Sequence, residues 1–314
     1  MPEQDYVWLP REDILQFEEI DRLTDLFVAL GVDKVRLTGG EPLLRRDLPT
    51  LIGRLAQTPA IRDLALTTNG GLLAPMAAPL RDAGLHRLTV SLDTLDPERF
   101  RRLTRADDLP RVLEGIQTAA PLFPGLKIDT VVMRGVNDDE IEVLLEFGRT
   151  RGAEVRFIEY MDVGGATQWS MADIVTRDEI IERLTQRYGP VEPVVADRAE
   201  NASAPADSYR LPDGLLFGII ASTTRPFCDA CDRSRLTADG MWYLCLYARD
   251  GLDLRKALRS GVSADEMMAL IRSTWIARTD RGAEARLAER DRATLIPVES
   301  LRRDPHLEMH TRGG

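Results

Sequence analysis

Residues 34–42, KVRLTGGEP, are a short strand-like run, Lys34–Thr38, that stops on Gly39-Gly40-Glu41-Pro42. The same grammar recurs down the first half of the chain. Leu64–Thr68 runs into Asn69-Gly70, Arg87–Leu92 into Asp93, and Glu154–Tyr160 into Met161-Asp162; Ile128–Met133 is a fifth strand candidate. Between them lie amphipathic stretches of helical length: Asp21–Leu30, Leu48–Ala56, Ala74–Ala83, Pro110–Ala119 and Asp139–Arg149. Strands spaced by helices of this size predict an α/β fold with a parallel sheet or β/α barrel. Catalytic barrels gather polar residues at the C-terminal ends of their strands. Any one such end reads as an ordinary loop start, but four in step read as a site.

The order has an oddity. A helix comes before the Lys34 strand and no strand candidate precedes that helix, so the array reads as an incomplete TIM-like barrel missing its first strand. From about Ala166 the pattern changes to a helix-containing connection over 167–190 and a polar loop over 196–208. Strand candidates Tyr209–Leu211, Leu215–Ile220, Arg235–Thr237 and Trp242–Leu246 come next, the last two flanking a hairpin turn at Ala238-Asp239-Gly240, and then a mostly helical tail. The expected division is 1–165 for the partial barrel and 166–314 for a smaller α+β C-terminal region.

Composition narrows the function. At 314 residues, 44% hydrophobic and 29% charged, the chain suits a globular protein with a sizeable core. No apolar run approaches the roughly 18–20 residues of a membrane span, and no signal-peptide pattern opens the chain, so the expected location is the cytoplasm. A net charge of −10 argues against nucleic-acid binding while allowing a local cationic pocket.

Only three cysteines occur, Cys228, Cys231 and Cys245. Their number and clustering favour a metal site over disulfides. The turn at Ala238–Gly240 would fold the third thiol back toward the C-x-x-C pair. Structural zinc normally asks for four ligands; an iron–sulfur cluster on three thiolates would keep one iron open. Both stay open on spacing alone. The adjoining Arg233 and Arg235 read either as an anion clamp or as two solvated arginines.

The run Phe227-Cys-x-x-Cys-x-Arg-x-Arg-Leu-Thr-x-Asp-Gly240…Cys245-Leu246 resembles the C-terminal cluster region of the GTP 3′,8-cyclases of molybdenum cofactor biosynthesis, radical S-adenosylmethionine enzymes. Arg36–Pro42, Leu66–Gly70, Val90–Asp93, Phe157–Asp162 and the terminal Gly313-Gly314 agree in order and spacing. The resemblance implies a lyase that converts GTP to (8S)-3′,8-cyclo-7,8-dihydroguanosine 5′-triphosphate by way of a 5′-deoxyadenosyl radical. It implies that Gly40, Ser91 and Met161 contact S-adenosylmethionine, and that Arg36, Thr67, Lys127, Arg233, Ser234 and Arg235 hold GTP. Cys228, Cys231 and Cys245 would ligate a 4Fe–4S cluster whose open iron meets the guanine. Catalytic side chains beyond these stay unassigned. A homodimer, and cyclic pyranopterin monophosphate synthase as the next enzyme, are implied partners.

The family's second 4Fe–4S cluster, which cleaves S-adenosylmethionine, sits on a C-x-x-x-C-x-x-C motif, and this sequence has no cysteine before Cys228. Met1-Pro2 aligns just past that motif, so the missing strand and the missing motif read as one gap, expected from a start assigned at an internal methionine. On that reading the chain as it stands would lack radical initiation. The alternatives are a single-cluster nucleotide-binding protein without radical activity and a zinc-stabilised α/β protein. Two smaller departures are Asp232, where the family usually has asparagine, and Arg312, where it usually has an apolar residue.

Overall fold

The computed structural model describes residues 9–166, 168–194, 204–289, 292 and 294–313. The five strand-like runs become β1 (Lys34–Leu37), β2 (Asp63–Thr68), β3 (Arg87–Ser91), β4 (Lys127–Val132) and β5 (Glu154–Glu159), adjacent in chain order and all parallel. Their connections carry α2 (Leu48–Ala56), α3 (Leu73–Asp82), α4 (Pro97–Thr104), α5 (Leu109–Ala119) and α6 (Ile141–Arg151), with α1 (Phe17–Ala29) before β1. Local chemistry accounts for the boundaries. Leu48, Leu51, Ile52 and Leu55 in α2 recur at helical spacing and are all buried. A capping box between Gln16 and Glu19 starts α1 earlier than the expected Asp21. Sequence patterning passes over α4, although Asp96, whose side chain accepts from the Arg99 N–H, and Pro97 form a good helix start.

Beyond α7 (Arg177–Tyr188) the chain returns to the same sheet. The strand β8 (Leu216–Ile220) pairs parallel with β5, and β7 (Asp207–Arg210) and β6 (Glu192–Pro193) add antiparallel beyond it, giving the order β1-β2-β3-β4-β5-β8-β7-β6. Asp207 and Ser208, expected in the polar loop, begin β7, where cross-strand bonds to β8 outweigh their loop character; 196–203 of that loop lie outside the described residues.

The two faces of the sheet differ. Ile128, Val132, Val155 and Phe157 are fully buried against the helices in the main core, while Lys127, Asp129 and Glu154, on the alternate face, are only half-buried. Side chains on a strand point alternately to opposite sides. One face therefore carries the core, and the other is a polar concavity.

A second, smaller core joins the C-terminal region to α1: Leu15, Leu23 and Leu26 pack with Trp242, Leu254, Leu258, Met267 and Ile271. It holds a three-stranded sheet of β9 (Arg235–Leu236), β10 (Met241–Tyr243) and β11 (Leu252–Asp253). The hairpin turn at Ala238–Gly240 lies where the sequence expects it, although β10 ends at Tyr243 rather than Leu246. Phe27 meets Trp242 edge-on at 5.4 Å, and Arg255 and Arg259 pair with Asp13 and Glu19. Among the described residues no helix is long and apolar enough to cross a membrane.

Candidate functional site

The concave face is laid out by register. Thr67 lies beside Thr89, Thr89 beside Lys127, and Lys127 beside Glu154; two residues further along, Ser91, Asp129, Arg156 and Gly218 form the next row. Arg36 reaches across from β1, donating from Nη1 to Thr67 Oγ1 at 2.8 Å and Thr89 Oγ1 at 3.4 Å. Burial, together with the Arg156 charge, pulls its guanidinium below the usual arginine range. Lys127 contacts Glu154 at 3.2 Å. Arg156 holds Asp129 with two bonds, 2.6 and 2.9 Å, and lies across Gly218, where a Cβ would come within 3.0 Å of Arg156 Cγ.

Because β1 to β5 are parallel, their C-terminal ends share one rim. Gly40 follows β1, Ser91 closes β3 and Met161 follows β5, so the three residues expected at S-adenosylmethionine stand on that rim. Glu41 ties it together, accepting from the Leu43 N–H at 3.0 Å and from Thr68 Oγ1 and the Asn69 N–H at 2.7 Å each. Gly39, at φ 134°, makes the turn that sets Glu41 there, a conformation L side chains resist. Asp93 accepts from the Val131 N–H at 2.8 Å, and burial pushes its carboxyl up to about 6. Glu159, fully buried, accepts from the N–H groups of Arg177, Thr223 and Thr224 and from Thr224 Oγ1, anchoring the loop that leads to the cysteines.

Cys228 and Cys231 bracket one 3₁₀ turn, and all three thiols are half-buried and free. Arg233 Nη2 lies 3.6 Å from the Cys231 sulfur with its guanidinium 4.8 Å over the Phe227 ring. Arg278 approaches the same sulfur at 3.7 Å and donates to the carbonyls of Cys231 and Arg233, both at 3.2 Å. Burial works to raise the Cys231 thiol, but the Arg233 N–H and both guanidinia outweigh it and leave it below the ordinary thiol range. Burial pushes Cys245 up, against N–H groups from Tyr247 and Gly282. Gly282 must be glycine for this approach, since a Cβ there would lie 2.4 Å from Tyr247 Cβ and 3.1 Å from the Cys245 sulfur. Arg235 is held below the arginine range, at about 10, by burial and by Arg233.

Tertiary contacts carry this cysteine substructure over the rim. Asp162, next to Met161, accepts from Tyr247 Oη at 3.1 Å and from Arg286 and Arg292 at 2.8 and 3.0 Å. At the other side Gly313 packs on β1's exit: a Cβ there would fall 2.4 Å from Thr38 Cγ2, and Arg235 Nε lies 3.5 Å from the Gly313 carbonyl. The segments flanking the thiols are thus fixed to the ends of β5 and β1. Arg233 and Arg235 come together there, whereas Ser234 and Asp232 are exposed.

Among the described residues no three His, Cys, Asp or Glu side chains are gathered as for a single metal ion. What surrounds the thiols nevertheless suits anionic sulfur: N–H groups and guanidinia approach it, with Arg233 and Arg235 bonded to sulfur and carbonyl oxygen and Arg278 shared between Cys231, two carbonyls and Asp280. Arg278 and Gly282 escape a sequence reading, because each meets the cysteines across more than thirty positions of chain with no local motif.

Residues 5–148 match the Radical SAM superfamily and residues 153–284 match Molybdenum Cofactor Synthesis C. GTP 3′,8-cyclase 1 of Mycobacterium tuberculosis strain CDC 1551 is 53% identical over 319 aligned positions, covering 100% of this chain and 88% of the relative. The GTP 3′,8-cyclase of Acidothermus cellulolyticus is 47% identical over 294, covering 91% of this chain and 80% of its own length. Streptococcus suis SuiB superposes with a TM-score of 0.56 at 13% identity, covering 88% of this chain and 62% of that one, a likeness that speaks for the fold alone.

Proposed function

Since the chain belongs to the GTP 3′,8-cyclase family of molybdenum cofactor biosynthesis, we propose that its cleft holds GTP for conversion to (8S)-3′,8-cyclo-7,8-dihydroguanosine 5′-triphosphate. The observation that carries this is the pair Arg233 and Arg235 beside the thiols, bonded to sulfur and to a carbonyl oxygen rather than to a carboxylate and so available to an incoming anion, with Arg278, itself paired with Asp280, bracing the same loop.

In this reading Cys228, Cys231 and Cys245 hold a 4Fe–4S cluster, and Gly40, Ser91 and Met161 hold S-adenosylmethionine on the rim beneath it. When bound, the cluster would offer an open iron to the guanine; the radical that takes the ribose 3′ hydrogen would come from S-adenosylmethionine only with an electron from the family's other cluster, for which this sequence has no thiols. The protein's share is placement. Arg233 and Arg235 neutralise the triphosphate in a site of low dielectric, where guanidinium donors match phosphate geometry. Arg36, bonded to Thr67 and Thr89, and Lys127, paired with Glu154 until it turns to the ligand, reach GTP from the concave floor. Ser234 would turn inward on binding. Residues 1–165 are the partial barrel, carrying the S-adenosylmethionine contacts together with Arg36, Thr67 and Lys127, and 166–314 the region with the thiol cluster and the GTP-binding Arg233, Ser234 and Arg235. With Cys228, Cys231 and Cys245 given to this cluster, no cysteine of the sequence remains for the family's second, radical-generating one. A homodimer, delivery to cyclic pyranopterin monophosphate synthase, and a cytoplasmic setting belong to the same reading.

The test is GTP binding by the anaerobically reconstituted chain. Arg235→Leu is expected to weaken it on the order of tenfold to a hundredfold, since a hydrogen bond to a charged group is lost. Unchanged affinity in Arg235→Leu and Arg233→Leu would sink the proposal.

A further inference from the structure

His306 lies on the tail, in the short 3₁₀ turn Pro305–Leu307, and both of its ring nitrogens face carboxylates. Nε2 is 2.7 Å from Asp239 Oδ2 and Nδ1 is 3.0 Å from Asp304 Oδ1. A neutral imidazole has one N–H and one lone pair, so only the protonated ring satisfies both contacts. Asp239 belongs to the β9–β10 turn and is buried; Asp304 belongs to the tail and is half-exposed. The clasp therefore ties the tail to the hairpin that carries Arg235.

The residues C-terminal to His306 give the clasp its consequence. Arg312 Nε donates to the His306 carbonyl, its Nη1 donates to the Leu246 carbonyl at 2.9 Å, and its guanidinium lies 4.3 Å over the Tyr243 ring. The next residue, Gly313, seats against Thr38 and Gly39 at the rim. Far upstream, Gly164 is packed under the tail, where a Cβ would fall 2.4 Å from the Leu307 carbonyl.

We propose that His306 is a positioning residue: as an imidazolium clasped between Asp239 and Asp304 it holds the C-terminal segment over the rim, and the segment releases when the ring loses its proton. The groups that face it are Asp239 from the turn, Asp304 from its own segment, and Arg312 from the terminal helix at its carbonyl. The Asp239 carboxylate raises the ring above its ordinary value, against burial. A raised folded value means that the clasp is at full strength below about pH 6.5 and is lost as pH rises through the raised value. The clasp itself stands apart from the proposed GTP site, and only the role of the rim that the tail covers rests on that reading.

Hydrogen exchange of the full chain, read on peptides spanning residues 298–313 between about pH 6 and 9 and corrected for intrinsic base catalysis, tests it without GTP or cluster. Protection in the wild type is expected to fall on the order of tenfold through the ring's titration, the worth of one charge-assisted bond. His306→Gln should be unprotected throughout. Asp304→Asn, altering a half-exposed side chain, should fold and move the midpoint to lower pH. A flat wild-type profile, or an unmoved midpoint in Asp304→Asn, would overturn the proposal whatever becomes of the GTP reading.

Discussion

Asp162 is the residue on which the site hangs. Its carboxylate is fully buried and collects Tyr247, Arg286 and Arg292, so it fixes the segment two residues past Cys245 to the end of β5. Burial would raise its pKa, but the Arg292 and Arg286 bonds outweigh that and hold it below the usual carboxylate range. A depressed folded value contributes stability that is present above about pH 4 and lost as pH falls through the folded value. Asp162→Asn should therefore lose on the order of 3 kcal/mol in urea unfolding at neutral pH, because two guanidinia are left in a buried site. The gap to wild type should close in acid; a gap that persists at low pH would mean that packing, not charge, is at stake.

At the scale of elements, glycines decide how near the pieces come. The helix Gly282–Leu287 begins against Tyr247 and the Cys245 sulfur with no room for a methyl group. Gly282→Ala must push Tyr247 aside, and overpacking of this kind costs about 1–3 kcal/mol. Its N–H would then leave Cys245. The expected result is lower iron occupancy after reconstitution with a nearly native circular dichroism spectrum; full occupancy would show that the sulfur does not depend on this approach. Strand and helix boundaries in the first half were largely legible, because each rests on local periodicity and caps. The C-terminal strands were less so. β10 stops at Tyr243 and β6 and β11 are two residues long, their extent set by partners distant in sequence.

For the whole molecule, an acidic chain builds a cationic cleft. Arg233, Arg235 and Arg312 lie together beside the thiols with Arg278, and Arg36 and Arg156 lie together on the sheet face, while carboxylates there are paired, as in Arg156 with Asp129 and Arg278 with Asp280. If the three thiols hold one substrate-side cluster, as proposed, anaerobic reconstitution should load about four irons per chain. About eight irons, or stoichiometric zinc, would contradict that assignment.

By itself the sequence determined the βα alternation, the strand ends that turn polar, the three-thiol motif and the family, because each is written in residues close together in the chain. Only the tertiary structure decided the rest. The register of four parallel strands set Arg36, Thr67, Thr89 and Lys127 on one face. Beyond residue 166, β8 joined the main sheet, and Arg278, Gly282, His306 and Gly313 met the thiol substructure from the C-terminal region. Such contacts close long loops and are held by packing and buried charge, neither of which leaves a periodic mark in the sequence.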